Sequence, residues 1–490
     1  MRVHNLLTHS QKNLATSVSL CNQEQIVANQ AEGYRRTVLS RHVAKHRRRS
    51  DETFLEAFFS SYIRATSKPQ LTRVDVHMKN GMAKPEMNGT RRAQTAPRAE
   101  THLLRALVCA GALTLLSASA LGAISRDQAK RIYDRIAGVP ASDAQLTTMA
   151  AGSANAAALL ATQDPAFYNN TIRNLATPWT NRNQTVFAPL NDYTATVIGM
   201  VRDDIPFNTL LSADILYIAD SGANVPAYSP ANNDLYQALD NDAADLSVHL
   251  VKTTQSAVTG LPAAATAGVL TTRASGNAFF MDGTNRRMYR FTMMNHLCAD
   301  LQTIPDTTRP PDRIRQDVTR SPGGDSSLFL NNCIECHSGM DPMAQAFAYY
   351  NYTYDPTTDP NGDLAGKIVY TAGQVQPKYF INNNNFPQGF VTPDDSWANR
   401  MRTGVNSLLG WNAAMNPTGT GNGAKSLGME LENSDAFASC QVSRVFKYVC
   451  LRAPGTADQG QVATMKATFK SGYSLRQVFA DAAVYCTNGM

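Results

Sequence analysis

The chain has 490 residues, of which 43% are hydrophobic and 17% are charged, a composition that excludes a wholly disordered protein. At roughly 100–200 residues per domain, this length allows two or three domains. Residues 1–123 hold 18 Lys+Arg against 8 Asp+Glu, whereas residues 124–490 hold 27 against 31. The basic excess is therefore confined to the first quarter, and the remainder does not indicate a nucleic-acid partner.

The first quarter is interpreted as an extension followed by an export signal. Residues 1–98 are polar and basic without sustained periodicity, and we expect them to be absent from the mature protein. Residues 99–123 place basic side chains before an apolar run, Ala106 to Ala123, which includes the small-residue sequence Ala118–Ser119–Ala120. This pattern is typical of a secretory signal peptide, so we expect export to the periplasm of a Gram-negative bacterium. An uncleaved anchor is the alternative, and membrane association is expected only in that case.

The position of this segment is unusual, because a signal peptide normally stands at the start of a chain. One interpretation is that translation starts at Met82 or Met87, which leaves an ordinary basic leader. The other is a genuine long basic extension.

Residues 124–300 are predicted to form a helical domain. Ser125 precedes four apolar residues at helical spacing, Val139–Pro140 ends that helix, and Ser142 is a predicted cap of the next. Residues 219–245 have the composition of a loop. Further helices are predicted over Tyr193–Met200, Pro206–Ile218 and Met288–Leu297.

Residues 301–326 contain four prolines and few apolar residues, which is typical of a linker or a wrapping loop. Residues 327–490 are predicted to form a second domain, so the expected fold class is mainly α with long loops. Its predicted helices are Leu328–Met340, Pro342–Tyr350, a pair over 425–451 broken at Asn433–Ser434, and Ser474–Cys486. A short β pair is predicted between Ile368–Tyr370 and Tyr379–Ile381.

One motif carries clear chemistry. Cys333–Ile334–Glu335–Cys336–His337 is C-x-x-C-H, the signature of c-type haem attachment. Two thiols on one helical turn can each form a thioether with one haem, and the adjacent histidine then serves as the proximal iron ligand. The alternatives are a thiol redox pair, which lacks a βαβ context here, and half a zinc site, which lacks a second ligand pair.

The sixth iron ligand is less well defined by the sequence. Met340 and Met343 lie too near His337 to reach the opposite haem face easily. Met401 and Met415 lie in a loop-rich stretch with freedom to fold over the haem, and they are the distal candidates. The alternative is a second histidine as the sixth iron ligand, and its candidates are His249 and His296.

Four other cysteines belong to the exported part, and an oxidising compartment favours disulfides. Cys440 and Cys450 are ten residues apart on one predicted helix, beyond bridging distance. We therefore prefer the pairs Cys298–Cys440 and Cys450–Cys486, with simple burial of the thiols as the alternative.

Two further patterns are discounted. Gly419–Ser426 nearly matches a phosphate-binding loop, but Ala424 replaces the required second glycine, so no nucleotide is expected. Asp394–Asp395 with Trp397 is interpreted as a capping and packing cluster rather than an acid/base pair.

The surroundings of the motif resemble the cytochrome-c-like proteins found in planctomycetes and other Gram-negative bacteria. In that group C-x-x-C-H is followed by Asp–Pro, here Asp341–Pro342. The resemblance extends over most of residues 195–490 and implies a cytochrome-c-like domain with one covalent haem, carried by Cys333, Cys336 and His337. It implies no distal ligand and no substrate. The other similar segments are Val201–Phe207, Leu211–Asp214, Gly268–Thr271, Asn285–Arg287, Ser434–Cys440 and Val445–Phe446.

We therefore expect a monohaem cytochrome that exchanges single electrons with a redox protein partner, because no acid/base or nucleophile set is evident. A peroxidase- or oxygenase-type enzyme with an open iron position is one alternative. A haem-stabilised docking subunit of an envelope complex is the other.

Overall fold

The structure, a computed structural model, describes residues 122–281, 283–380 and 388–488. The expected basic extension and all but the last two residues of the expected signal segment lie outside the described residues. Among the residues that are described, no helix has both the length and the apolar character needed to cross a membrane.

The first described segment is helical, as its periodicity predicts. Helix α1 spans Arg126–Ala137, starts at the N-cap Ser125 and ends at Gly138, and its four predicted apolar residues are buried. Ser142 caps the next helix through a capping box, as expected. The elements that follow are α2 (Asp143–Ala150), α3 (Ala154–Ala161), a π-helical turn (Phe167–Ile172), α4 (Arg173–Ala176), a 3-10 turn (Thr177–Thr180) and α5 (Asp192–Arg202).

The predicted helix over Pro206–Ile218 is wrong, because the end of this segment pairs with a distant strand. Strand β1 (Leu216–Ala219) is antiparallel to β2 (Leu250–Thr253), with Leu216 opposite Thr253. The Tyr217 ring lies directly over Gly199 of α5, where any side chain would overlap it.

Residues 219–245 also differ from the expected loop, since they contain helix α6 (Asp234–Asn241). This helix buries Leu235, Tyr236 and Leu239 along one face. Besides β1 and β2, the elements between residues 203 and 297 are 3-10 turns (Phe207–Thr209, Ser221–Ala223, Gly268–Thr271), α6 (Asp234–Asn241), α7 (Leu246–His249), α8 (Gln255–Val258), α9 (Arg273–Ser275), α10 (Arg286–Thr292) and π-helical turns (Gly276–Phe280, Met293–Leu297).

The segment 301–326 wraps the helix that carries the C-x-x-C-H motif instead of linking two separate bodies. Ile314 and Val318 from this segment form a small apolar cluster with Phe329, Cys333 and Ile334. Of the two interpretations of this Pro-rich stretch, the structure shows the wrapping loop.

The motif helix is longer than predicted. It begins with α11 (Ser326–Leu328), widens through the π-helical turn Phe329–Cys333 and continues as α12 (Ile334–Ala344), so the expected break at Pro342 does not occur. Strand β4 (Gly366–Tyr370) forms as predicted, but its antiparallel partner is β3 (Tyr350–Tyr354), with Tyr350 opposite Tyr370. Residues 377–380 form a 3-10 turn instead of the predicted strand.

The C-terminal helices agree with the sequence pattern. The predicted break falls between α13 (Gly423–Glu432) and α14 (Asp435–Cys450), where the Ser434 hydroxyl caps α14 by accepting from the Phe437 amide at 3.1 Å. The remaining elements are 3-10 turns (Gln345–Phe347, Arg400–Arg402, Gly404–Leu409, Thr456–Asp458), β5 (Ser396–Ala398) antiparallel to β6 (Thr420–Asn422), α13 (Gly423–Glu432), α14 (Asp435–Cys450), α15 (Gln459–Gly472) and α16 (Leu475–Thr487).

The expected division into domains 124–300 and 327–490 is not seen, since the described residues on both sides of 301–326 belong to one compact unit. The last helix, α16, packs against α1 and α3, and Phe479 meets Phe167 edge-on with ring centroids 4.9 Å apart. A single hydrophobic core therefore draws on both segments, and the mainly α fold is confirmed.

The two preferred disulfides are both present. Cys298–Cys440 and Cys450–Cys486 have Cα–Cα distances of 5.3 Å and 5.6 Å. The first joins residues 142 positions apart, and in the chain-entropy treatment closing so long a loop raises the free energy of the unfolded chain by roughly 5 kcal/mol. This bridge ties the two expected domains to each other.

Glu432, at the end of α13, makes stability depend on pH. Its carboxyl group accepts from the Leu211 amide at 2.7 Å and from the Ser212 hydroxyl, and burial raises its pKa to about 8. Between about pH 5 and pH 8 the unfolded chain has lost this proton while the native chain keeps it. The free energy of unfolding is therefore expected to fall with rising pH, by about 1.4 kcal/mol per pH unit from this group.

Denaturant unfolding of the wild type and Glu432→Gln across this range tests the expectation. The neutral amide keeps an acceptor for the Leu211 amide and does not titrate, so the pH dependence should become flatter. Parallel curves for the two proteins would contradict it.

Candidate functional site

The motif lies where a π-helical turn passes into a regular helix. The turn Phe329–Cys333 ends on the first cysteine, and Cys336 and His337 follow in the first turn of α12. The three residues thus lie on adjacent turns of one continuous helix, as the spacing predicts. Single π-helical turns within α-helices occur often at functional sites.

The two cysteines differ in their surroundings. Cys333 is 3% exposed and belongs to the apolar cluster with Ile314 and Val318. Cys336 is partly exposed, and its Sγ lies 3.6 Å from the carbonyl oxygen of Leu301. The wrapping segment therefore covers one cysteine and borders the other.

His337 is held by a carboxylate one turn further along the helix. Its Nδ1 lies 3.1 Å from Oδ1 of Asp341, whose side chain is fully buried. Burial alone would raise the pKa of Asp341, but Arg286, His337 and Arg315 hold that pKa well below its ordinary value. Because an ionised carboxylate only accepts hydrogen bonds, Nδ1 of His337 must be the donor. In the neutral imidazole, Nε2 is then the ring nitrogen with a lone pair for a metal.

Asp341 belongs to a buried ionic cluster with Arg286, Arg315 and Asp317. The Arg286 guanidinium donates to both oxygens of Asp341, at 2.5 and 2.8 Å, and to both oxygens of Asp317, at 2.5 and 2.8 Å. Burial alone would lower the pKa of Arg286, but Asp317 and Asp341 hold it well above its ordinary value. The cluster thus holds two positive and two negative side chains.

The cluster links three parts of the chain to the motif. Arg286 is the first residue of α10, and the preceding Asn285 donates through Nδ2 to the carbonyl oxygens of Phe347 and Tyr350, at 2.9 and 3.0 Å. Arg315 of the wrapping segment donates its backbone N–H to Oδ2 of Asp341 at 3.3 Å. Sequence reasoning noted Asn285–Arg287 and Asp341 only as points of resemblance and assigned them no role.

The two methionine candidates for the distal position lie in different settings. Met401 is fully buried in the 3-10 turn Arg400–Arg402, a segment that packs against α12. Asn399 caps that turn by accepting from the Met401 amide at 3.0 Å. Met415 is 53% exposed and lines a surface hollow with Met429. Of the two, only Met401 belongs to an element in contact with the motif helix.

The two histidines of the bis-His alternative have other partners. Nδ1 of His249 lies 3.0 Å from Oδ1 of Asp220, and Nε2 of His296 lies 2.6 Å from the hydroxyl oxygen of Tyr193. His296 is buried, and burial holds its pKa well below its ordinary value, so it is neutral.

The patterns discounted from the sequence have structural roles. Lys425 donates to the carbonyl oxygen of Ala263 at 2.6 Å, and the Ser426 hydroxyl accepts from the indole of Trp397 at 2.8 Å. Asp394 accepts from the Ser396 amide at 2.8 Å at the start of strand β5, and Trp397 is buried.

The donor set fits a covalent haem. It offers two sulfurs on successive turns, an imidazole whose other nitrogen is held by a carboxylate, and an apolar cluster around the first sulfur. Within residues 122–281, 283–380 and 388–488, no group of three or more His, Cys, Asp or Glu side chains is arranged to hold a metal ion. Haem iron takes most of its ligands from the porphyrin and does not require such a group.

The chain matches no protein-family model, no curated protein and no solved structure.

Removal of the Asp341 charge should destabilise the protein strongly. Asp341→Asn leaves part of a buried guanidinium uncompensated, and breaking such a pair costs about 3–5 kcal/mol. Asp143→Asn is the matched control, because Asp143 pairs with Arg126 at the surface and its side chain is 96% exposed. That change should cost about 1 kcal/mol or less. Equal losses in denaturant unfolding would contradict the prediction, because breaking the buried pair would then cost no more than breaking the surface pair.

Proposed function

We propose that the protein is an exported monohaem c-type cytochrome that takes one electron from a reduced protein partner and passes it to an oxidised one. Cys333 and Cys336 form the two thioethers, and His337 is the proximal iron ligand. A bound haem would supply the one-electron redox couple.

The observation that carries this proposal is the hydrogen bond from His337 to Asp341. Ligand histidines almost always donate their second ring N–H to a carboxylate, carbonyl or water, which fixes the tautomer and the ring orientation. Here the carboxylate is buried, ionised and on the same helix as both cysteines. A histidine that only packs does not need a hydrogen bond to a buried carboxylate, and this one also follows directly after two cysteines spaced as in C-x-x-C-H.

The surface beside the motif suits contact with a redox partner. Leu328 and Leu330, on the turns just before Cys333, are 40% and 55% exposed. Exposed apolar side chains beside the motif favour contact with another protein. The proposed partner is a protein, with no role for nucleic acid or nucleotide.

Export is supported by the disulfides and by the pattern of residues 99–123. Two disulfides at ordinary Cα–Cα distances are typical of proteins that mature in an oxidising compartment. We place the mature protein in the periplasm, where covalent haem would also resist loss by dilution.

Haem attachment is the first test. The chain is expressed from Met82 in a Gram-negative host that exports and attaches haem, and the mature protein is analysed by mass spectrometry after denaturation. One haem per chain is expected for the wild type and none for Cys333→Ala/Cys336→Ala. The control Cys450→Ala/Cys486→Ala removes a different cysteine pair and should keep its haem. A wild-type chain with nothing attached would refute the proposal.

The distal ligand is the second test. We assign Met401 to the sixth position, so the wild type should be low-spin when reduced and should not bind carbon monoxide. Met401→Ala should give a high-spin ferrous form that binds carbon monoxide, and Met415→Ala should leave the spectrum unchanged.

The same spectra separate the cytochrome from the enzyme alternative. A carboxylate hydrogen bond makes a ligand imidazole more basic, which also suits peroxide chemistry. A wild type that is already high-spin, binds carbon monoxide and turns over peroxide would establish the haem-enzyme function instead.

A further inference from the structure

The hydrogen bonds around Asp341 use all of its acceptor capacity. Oδ1 accepts from Arg286 Nε at 2.5 Å and from His337 Nδ1 at 3.1 Å. Oδ2 accepts from Arg286 Nη2 at 2.8 Å and from the Arg315 amide at 3.3 Å. An ionised carboxylate offers about four lone-pair sites, so the histidine shares this acceptor with three other donors.

The shortest of these contacts are those to Arg286. Charge-assisted, bidentate pairs of this kind are the strong ones, and they draw electron density from the carboxylate. Arg286 is itself shared with Asp317, which lies on the other side of the guanidinium. Asp317 accepts its hydrogen bonds from Arg286, so it acts on the histidine through Arg286 and through its charge.

We propose that Asp341 and Arg286 are positioning residues for the iron ligand. Asp341 accepts the hydrogen bond from His337 Nδ1–H, which keeps the proton on that nitrogen and orients the ring. Arg286 makes the carboxylate a weaker acceptor for this hydrogen bond. This inference rests on the proposed haem function and adds to it the groups that set the reduction potential of the iron.

The direction of the effect follows from ligand basicity. A stronger acceptor at Nδ1 makes the imidazole more electron-rich, which favours the oxidised iron and lowers the midpoint potential. Arg286 weakens the acceptor and therefore raises the potential. Removing Asp341 and removing Arg286 should consequently shift the potential in opposite directions, although both changes destabilise the fold.

The experiment compares Asp341→Asn with Asp317→Asn in the haem-loaded, exported protein. Both variants remove one negative charge from the same buried cluster, but only the first alters the acceptor of His337. Asp341→Asn should raise the midpoint potential and speed hydrogen exchange of the His337 Nδ1 proton, followed by nitrogen-15 NMR. Asp317→Asn should raise the potential less and leave that exchange unchanged.

Arg286→Gln provides the opposite sign and keeps the test decisive if Asp341→Asn folds poorly. The midpoint potential of Arg286→Gln should fall, and its His337 Nδ1 proton should still be protected from exchange. The potential of Arg286→Lys should lie between those of Arg286→Gln and the wild type, because lysine keeps the positive charge but cannot donate two parallel hydrogen bonds as the guanidinium does. Equal effects of Asp341→Asn and Asp317→Asn, or an unchanged or raised potential in Arg286→Gln, would overturn the inference. A wild type without haem would instead refute the proposed function, and mass spectrometry identifies that case separately.

Discussion

The buried carboxylate of Asp341 fixes the arrangement around the motif. Three elements meet at its two oxygens: α10 through Arg286, the wrapping segment through Arg315 and the motif helix through His337. Burying these charges is costly unless each is paired and hydrogen-bonded, and here each charge has a partner. Because loss of one member leaves the others uncompensated, the cluster tolerates few alternative geometries. The imidazole therefore has a defined orientation before any cofactor is considered.

The same reasoning explains why a Pro-rich segment with few apolar residues lies close against the motif helix. Such a segment buries too little apolar area to be held by hydrophobic contacts alone. Arg309 supplies polar contacts, donating to the carbonyl oxygen of Glu335 and, at 3.2 Å, to the hydroxyl of Ser338. Its guanidinium lies against Gly339, where an added Cβ would be 3.0 Å from Cζ. A glycine within the helix thus lets the arginine approach the backbone next to the motif.

Sequence reasoning succeeded where the signal is local. The cap at Ser142, the helix break at Asn433–Ser434, the amphipathic faces and the helical setting of Cys333 to His337 all depend on residues within a few positions of one another. The sequence-based predictions for Pro206–Ile218 and for the partner of β4 were wrong, because both depend on which strands pair, and pairing is not visible in the local pattern. The ionic cluster was missed for the same reason, since Arg286 and Asp341 are 55 residues apart. Composition also does not reveal which faces pack together, and residues from both sides of 301–326 share one hydrophobic core.

Under the proposed haem function, the choice between an electron carrier and a haem enzyme would depend on the charges and hydrogen bonds of this cluster more than on the motif. A carboxylate bound only to the ligand histidine would make the imidazole strongly basic, which favours oxidised iron. In this chain the carboxylate is also bound by Arg286 and by the Arg315 amide, and the side-chain charges of the cluster sum to zero. Such compensation keeps the orienting hydrogen bond while limiting its electronic effect. In the proposed cytochrome, a histidine ligand that is held firmly but is only moderately electron-donating would suit an iron that both accepts and gives up an electron.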